Sequence, residues 1–172
     1  MFKTLVNART SKARANRLYA AITERGRAPI FFAELGVPDT IDGRFDLLVL
    51  HAWMVLDRLR ELGMKDVSQS LVDTLFVGFE DSLRDLGVGD IGIGHRVKKM
   101  ANAFYGRLAA YDAADGKAAL TEALVRNVYR GRRGDAETLA TYAVSVREHL
   151  AARNLSAEEP DFGPLPQIAS AP

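Results

Sequence analysis

A chain of 172 residues with 48% apolar side chains and a net charge of +1 is long enough to bury one proper core and too apolar to stay unfolded. It has no cysteine, which excludes disulfides, thiol nucleophiles and thiolate metal sites, and no apolar N-terminal run long enough for a signal peptide. Charge comes in blocks: residues 1–27 carry seven Lys/Arg and one acid, 28–94 five and twelve, 95–153 eleven and six, and the remainder three acids only. Such blocks either form separate basic and acidic surfaces suited to recognition or interleave in space and neutralise each other.

Met1–Arg9 is basic and mildly apolar, through Phe2, Leu5 and Val6. Residues 1–10 are expected to be a flexible terminus, with an organelle-targeting peptide and a membrane-surface anchor as the other readings. Ser11–Arg25 reads as a helix with Ala15, Leu18, Tyr19 and Ile22 on one side, Ser11 as its cap and Gly26 as its stop. Pro29–Leu35 reads as a short helix that ends at Gly36 and Pro38. Val37–Arg44 reads as a turn-rich connector with Asp42-Gly43 as its tight turn.

Phe45–Leu62 is the most apolar stretch, and the rest is expected to pack around it. Its first half is apolar all round: Phe45, Leu48, Val49 and Ala52 on one side, Leu47, Leu50, Trp53 and Met54 on the other. That predicts burial on every side, with Asp57, Arg58, Arg60 and Glu61 bringing the second half to the surface. It is too short and too charged to cross a bilayer. Asp66 and Gln69 have capping-box spacing and open a helix to Leu86, with Leu71, Val72, Leu75, Phe79, Ser82, Leu83 and Leu86 inward. Gly78 inside it costs about 1 kcal/mol against alanine and predicts a close helix crossing.

Gly87–Gly94 contains the spacing GxGxxG, but a helix precedes it where a dinucleotide site needs a strand. It is read as a flexible connection with Asp90 as the next cap. His95–Asp115 is the next helix, with Val97, Met100, Ala101, Phe104, Leu108 and Tyr111 buried. Its outer face carries His95, Lys98, Lys99, Asn102, Tyr105 and Gly106. Arg96, Lys98 and Lys99 in the first turns oppose the helix dipole by about 0.3–1 kcal/mol each, and Gly106 adds a further cost. Stability asks for neither feature. The face is read as one kept for a partner, the alternative being a solvated face tied to the acidic block. Lys117–Arg130 is helical, with Leu120, Ala123, Leu124 and Val128 inward, and RGRRGD (130–135) is a basic turn. Asp135 caps a last helix to about Arg153, with Leu139, Tyr142, Ala143, Val146 and Leu150 in line. Residues 154–172 hold four of the six prolines and read as an extended, mobile tail. The expected fold is therefore all-α, a single compact helical domain over 11–153 with about six main helices.

Little catalytic chemistry is encoded. The three histidines, His51, His95 and His149, form no HxxxH pair, and no ExxH, GxSxG or GxxxxGK[ST] pattern is present. No metal, cofactor or small-molecule substrate is indicated. His51, flanked by apolar residues, is expected to be a buried histidine bonded to a neighbour. Lys98, Lys99, Arg126, Arg130, Arg132 and Arg133, with Tyr105 and Tyr129, suggest a patch for nucleic acid, an acidic protein or anionic lipid.

The runs GVPDTIDGRFDLLVLHAWMVLDRLR (36–60), SQSLVDTLF (68–76), DSLRDLGVGDIGIGHRVKKMANAFYGRLAAYD (81–112) and ALVRNVYRG (123–131) resemble the ubiquinol–cytochrome c chaperone family. These are bacterial relatives of the mitochondrial factor that assists assembly of ubiquinol–cytochrome c reductase. The resemblance spans about residues 16–131; at 77–80 this chain reads VGFE where the family pattern is richer in aspartate. It implies an all-helical, non-catalytic assembly chaperone that binds newly made cytochrome b, with the ribosome or an anionic membrane surface as further partners. It places the protein in the cytoplasm, peripheral on the inner membrane. The expected partner-binding residues are Arg96, Lys98, Lys99, Asn102, Tyr105 and Gly106, with Arg126 and Arg130 alongside. An RNA- or ribosome-binding adaptor and a small enzyme using unrecognised carboxylates are the alternatives.

Overall fold

A helix with no polar side in its first half has to be wrapped by others, and α3 (Ile41–Glu61) is wrapped in this way. The computed structural model describes residues 2–87, 89–132 and 134–168, and the side chains of all of these except 2–7, 90 and 91. Around α3 stand α1 (Phe2–Gly26), the single-turn α2 (Ile30–Ala33), α4 (Lys65–Asp85), α5 (Asp90–Asp112), α6 (Gly116–Leu124) and α7 (Ala136–Ala151). A π-helical turn (Val125–Tyr129) continues α6. Among the described residues there is no strand, so the fold is all-α, with six main helices and the short α2. Leu47 and the whole run Val49–Val55 are buried, as the all-round apolar pattern predicted, while Arg60 and Glu61 lie in solvent.

α3 begins four residues earlier than its apolar pattern suggested. Thr40 is its cap, the Oγ1 accepting from the Gly43 amide at 3.1 Å. Asp42 therefore lies in the first turn, where the helix dipole favours an acid. The Asp42-Gly43 pair is not a tight turn. Glycine is needed at 43 because a Cβ there would run into the carbonyl oxygen of Pro38.

α1 lies along α4. Lys12 Nζ donates to Thr74 Oγ1 at 3.1 Å, and Tyr19 sits over Gly78, where a Cβ would meet the tyrosine hydroxyl. The expected close crossing is thus present. α1 is already helical at Phe2, not only from Ser11, so the stretch read as a flexible terminus continues the helix. α4 has no capping box: it starts at Lys65 with Met64 at its cap and no side-chain bond there. Asp66 falls inside the first turn, and Gln69 turns away to donate to Asp73 at 2.8 Å. α5 starts at Asp90 with Gly89 at the cap position, so residues 90–94 (DIGIG) are helical rather than a connection. Val88 and the side chain of Asp90 lie outside the described residues. Arg96, Lys98 and Lys99 then sit in the second and third turns of α5, beyond the reach of the first-turn dipole. The dipole cost read for them does not arise.

His51 is fully buried and bonded at both nitrogens. Its Nδ1–H donates to the Leu47 carbonyl at 2.7 Å, since a carbonyl only accepts. Nε2 therefore accepts from the Tyr142 hydroxyl at 2.9 Å, and that hydroxyl accepts from Arg25 Nε at 2.9 Å. Burial pushes the imidazole pKa down to about 4, so it is a neutral structural group at neutral pH.

The segment after α7, read as an extended and mobile tail, begins with a turn at 154–158 and through residue 168 is fastened rather than trailing. Leu155 and Phe162 are buried. Arg14, itself buried, donates to the carbonyls of Leu155 (2.5 Å) and Glu158 (2.6 Å). Arg25 donates to Gly163 (2.6 Å), and Arg58 to Arg153 at the end of α7 (2.9 Å). The physical reason is that irregular backbone can lie on a core only if its carbonyls find donors, and three arginines supply them. Residues 169–172 lie outside the described residues.

Candidate functional site

Once Ile41 is counted in α3, Ile41, Phe45 and Leu48 follow one another at helical spacing down one side of its first two turns. That side is only partly covered: Phe79 of α4 and Arg107 of α5 pack on Phe45, while Ile41 stays exposed. It forms one wall of a trough of about 420 Å³ whose other walls are the end of α1 (Thr23, Gly26, Arg27), the end of α4 (Phe79, Asp85, Leu86) and Met100 of α5. The floor is apolar. Ile41 is 59% exposed and Leu86 54%, large values for aliphatic side chains. A second hollow of about 480 Å³ lies alongside, with Pro29, Phe32 and Ala33 on one side and Asp39 on its edge. Arg27 and Arg44 line both hollows and so form the ridge between them. The Arg44 guanidinium lies 5.9 Å over the Phe32 ring and bonds Asp39 at 2.7 Å. Arg27 has no ion-pair partner among the described residues.

Behind the trough wall is a buried charge cluster. Arg107 of α5 lies 5.3 Å over the Phe45 ring and places Nη2 2.7 Å from Oδ1 of Asp46. Arg130 places its Nη2 2.6 Å from the other oxygen, Oδ2. Asp46 is fully buried. Both contacts are bent away from hydrogen-bond geometry, and Arg107 Nε and the Tyr111 hydroxyl are also buried without a hydrogen-bond partner. Burial therefore outweighs the two cations, and the Asp46 carboxyl is pushed up to about 6. Arg130 reaches inward because it follows the π turn in a left-handed conformation, φ 51°.

On the opposite flank of α5 a third hollow, about 390 Å³, is floored by Leu56, Val72, Tyr105 and Leu108. Tyr105 stacks on Phe76 there, centroids 6.2 Å apart.

The residues expected to bind a partner are divided among these surfaces. Arg96, Lys98, Lys99, Asn102, Tyr105 and Gly106 are all exposed. Arg96 lies one turn before Met100, hence on the trough side of α5. Tyr105 belongs to the opposite hollow, and Lys98, Asn102 and Gly106 point outward between the two. Arg126 is exposed beside Glu122 at 3.8 Å. Arg130 is not on the patch but turned in to Asp46, because a buried carboxylate attracts the nearest cation more strongly than solvent does. Tyr129 is buried, its hydroxyl donating to the Leu35 carbonyl at 3.1 Å. Arg132 is exposed, and Arg133 lies outside the described residues. Sequence reasoning missed Arg27, Arg44 and Ile41. The available signal was Thr40 preceding an Ile-x-x-x-Phe-x-x-Leu series, which marks a capped helix rather than a connector.

Gly106 has open space where a Cβ would be, so packing does not require glycine. Gly106→Ala should stabilise the free protein by about 0.5–1 kcal/mol, read as a higher urea midpoint.

No cluster of His, Asp or Glu among the described residues is arranged to hold a metal ion, and no helix among them is long and apolar enough to cross a membrane. The three hollows are open to solvent rather than enclosed.

A crystal structure of the Cbp3 homolog from Brucella abortus superposes with a TM-score of 0.75 and 34% identity over 88% of each chain. Ubiquinol-cytochrome-c reductase complex assembly factor 1 of Xenopus laevis is 26% identical over 143 residues, which is 81% of this chain and 72% of that protein. The factor of the same name from Mus musculus is 27% identical over 143 residues, and there this chain spans 48% of the relative's length. The family model described as ubiquinol-cytochrome C chaperone matches residues 33–157, from the end of α2 through α7 and into the strap that follows it. On that match and the shared fold, the chain belongs to the ubiquinol-cytochrome c chaperone family.

Proposed function

We propose that this protein is a non-enzymatic chaperone for the assembly of ubiquinol–cytochrome c reductase, and that it holds newly made cytochrome b by an apolar segment laid in the trough between α1, α3, α4 and α5. The observation that supports this most is the trough itself: an open apolar floor, two half-exposed aliphatic side chains at its mouth and arginines along its ridge. A surface of this kind shields an apolar segment without enclosing it. The exposed basic residues Arg96, Lys98 and Lys99 of α5 are suited to steering an acidic or membrane-bound partner toward it. The proposed location is the cytoplasm, peripheral on the inner membrane, with the ribosome or anionic lipid as the surface on which the client is met.

The test is cross-linking of newly made cytochrome b to the Ile41→Asp/Leu86→Asp variant. Both side chains are solvent-exposed, so the fold should survive, as checked by circular dichroism. Burying one aliphatic side chain is worth roughly 1.5 kcal/mol or more, so capture should fall by about tenfold or beyond. Unchanged capture by the folded variant would sink the trough as the client site. Charge reversal at Lys98 and Lys99 is the matching test of the α5 face and should slow capture, increasingly so at low salt.

A further inference from the structure

The ridge between the two hollows is the wrong chemistry for a purely apolar occupant. A greasy segment crossing it would cover two guanidinium groups and strip their water without returning a counter-charge. We propose that the segment taken into the trough carries an acidic side chain read by Arg27 and Arg44, and that Asp39 keeps Arg44's place while the trough is empty. This rests on the trough being the client site and adds what selects the occupant.

Three observations carry it. Arg27 lines both hollows and has no ion-pair partner among the described residues, so one positive charge on the ridge is uncompensated. Arg44 has a single ion-pair partner among the described residues, Asp39, and the pair is exposed on both sides, at 59% and 56%. Exchange of one carboxylate for another at such a pair costs little. Asp39 itself stands in the link between Gly36 and the Thr40 cap, and its carboxyl bonds no group but Arg44 among the described residues. It is therefore free to swing aside without loosening a helix. Asp85, at the end of α4, also lines the trough, is exposed and has no ion-pair partner among the described residues, so the lining carries one free acid as well. The wall from Ile41 to Leu48 is about 10 Å long, or two helical turns. An occupant of that length fits as a short apolar helix with its acid toward Arg27 and Arg44.

The experiment uses the full chain and a labelled three-turn Leu/Ala helical peptide bearing one Asp, with Asn and Lys counterparts, and reads binding by fluorescence anisotropy. The Asp peptide should bind about 3–5-fold more tightly than the Asn peptide, with the difference fading in high salt. Asp39→Asn, by removing the internal competitor, should tighten binding of the Asp peptide about twofold and leave the Asn peptide unchanged. Arg27→Glu/Arg44→Glu should reverse the order in favour of the Lys peptide. Equal affinity for the Asp and Asn peptides, or an Asp39→Asn variant that binds the Asp peptide less well, overturns the proposal while leaving an apolar trough. Failure of all three peptides to bind overturns the trough reading as well.

Discussion

Arg107→Ala should destabilise the protein by about 3–5 kcal/mol, seen as a lower urea midpoint with little change in slope. The reason is not the strength of the pair but what its loss leaves behind. Asp46 has no exposed surface, and Arg107 is the better buried of its two cations, 13% exposed against 36% for Arg130. Without Arg107 the carboxylate keeps only a half-exposed partner, whose attraction water weakens. Arg107 also covers the face of Phe45, so the substitution uncovers part of the trough wall. Arg130→Ala should cost distinctly less, because its guanidinium is already partly hydrated.

The same carboxyl shapes the pH profile. Its folded pKa is raised, to about 6 from 3.8, so its contribution to stability is complete below 3.8 and is lost as pH rises through 6. His51 acts in the opposite sense. Its folded pKa is lowered to about 4 from 6.5, so its contribution is complete above 6.5 and is lost as pH falls toward 4. Between pH 4 and 6 the two largely offset each other. Asp46→Asn removes one of them, and its urea midpoint should therefore fall toward acid pH where that of the parent protein stays nearly level.

Gly43→Ala should cost about 3 kcal/mol, at the upper end for overpacking. Alanine is normally the better helix former, so a propensity argument predicts the opposite sign. The structure decides between them. The added Cβ meets a backbone oxygen, that of Pro38, which cannot rotate away as a side chain would. Either the 38–40 link or the first turn of α3 must shift, and the Thr40 cap, worth about 1 kcal/mol, is strained with it. Thermal unfolding of Gly43→Ala beside Thr40→Ala separates the clash from the cap: the glycine substitution should lower the midpoint more.

Helix content and core were plain in the sequence because a 3.6-residue apolar period needs no tertiary knowledge. The buried run Val49–Val55, the paired His51 and the Gly78 crossing each followed from one-dimensional pattern. Helix starts were harder. Thr40, Met64 and Gly89 take the cap positions, and two of these have no side-chain oxygen with which to announce it. The misplaced start of α5 in turn produced the dipole argument for Lys98 and Lys99, which the longer helix removes. The trough was not legible because Arg27 and Leu86 follow the ends of α1 and α4, while Arg44 and Met100 belong to α3 and α5. Nothing local marks Arg130 for an inward turn either, since that depends on a π turn and on Asp46, 84 positions earlier in the chain.

The strap after α7 has a consequence for how the molecule is made. Arg14, in α1, is buried where its guanidinium bonds carbonyls 141 and 144 positions later. Until those carbonyls emerge, α1 holds a cation that water must solvate, and its seat on the body stays incomplete. The seating of α1 therefore waits on residues 155–158: a nascent chain stalled before Leu155 should remain protease-sensitive along α1, whereas a chain extending past Glu158 should protect it.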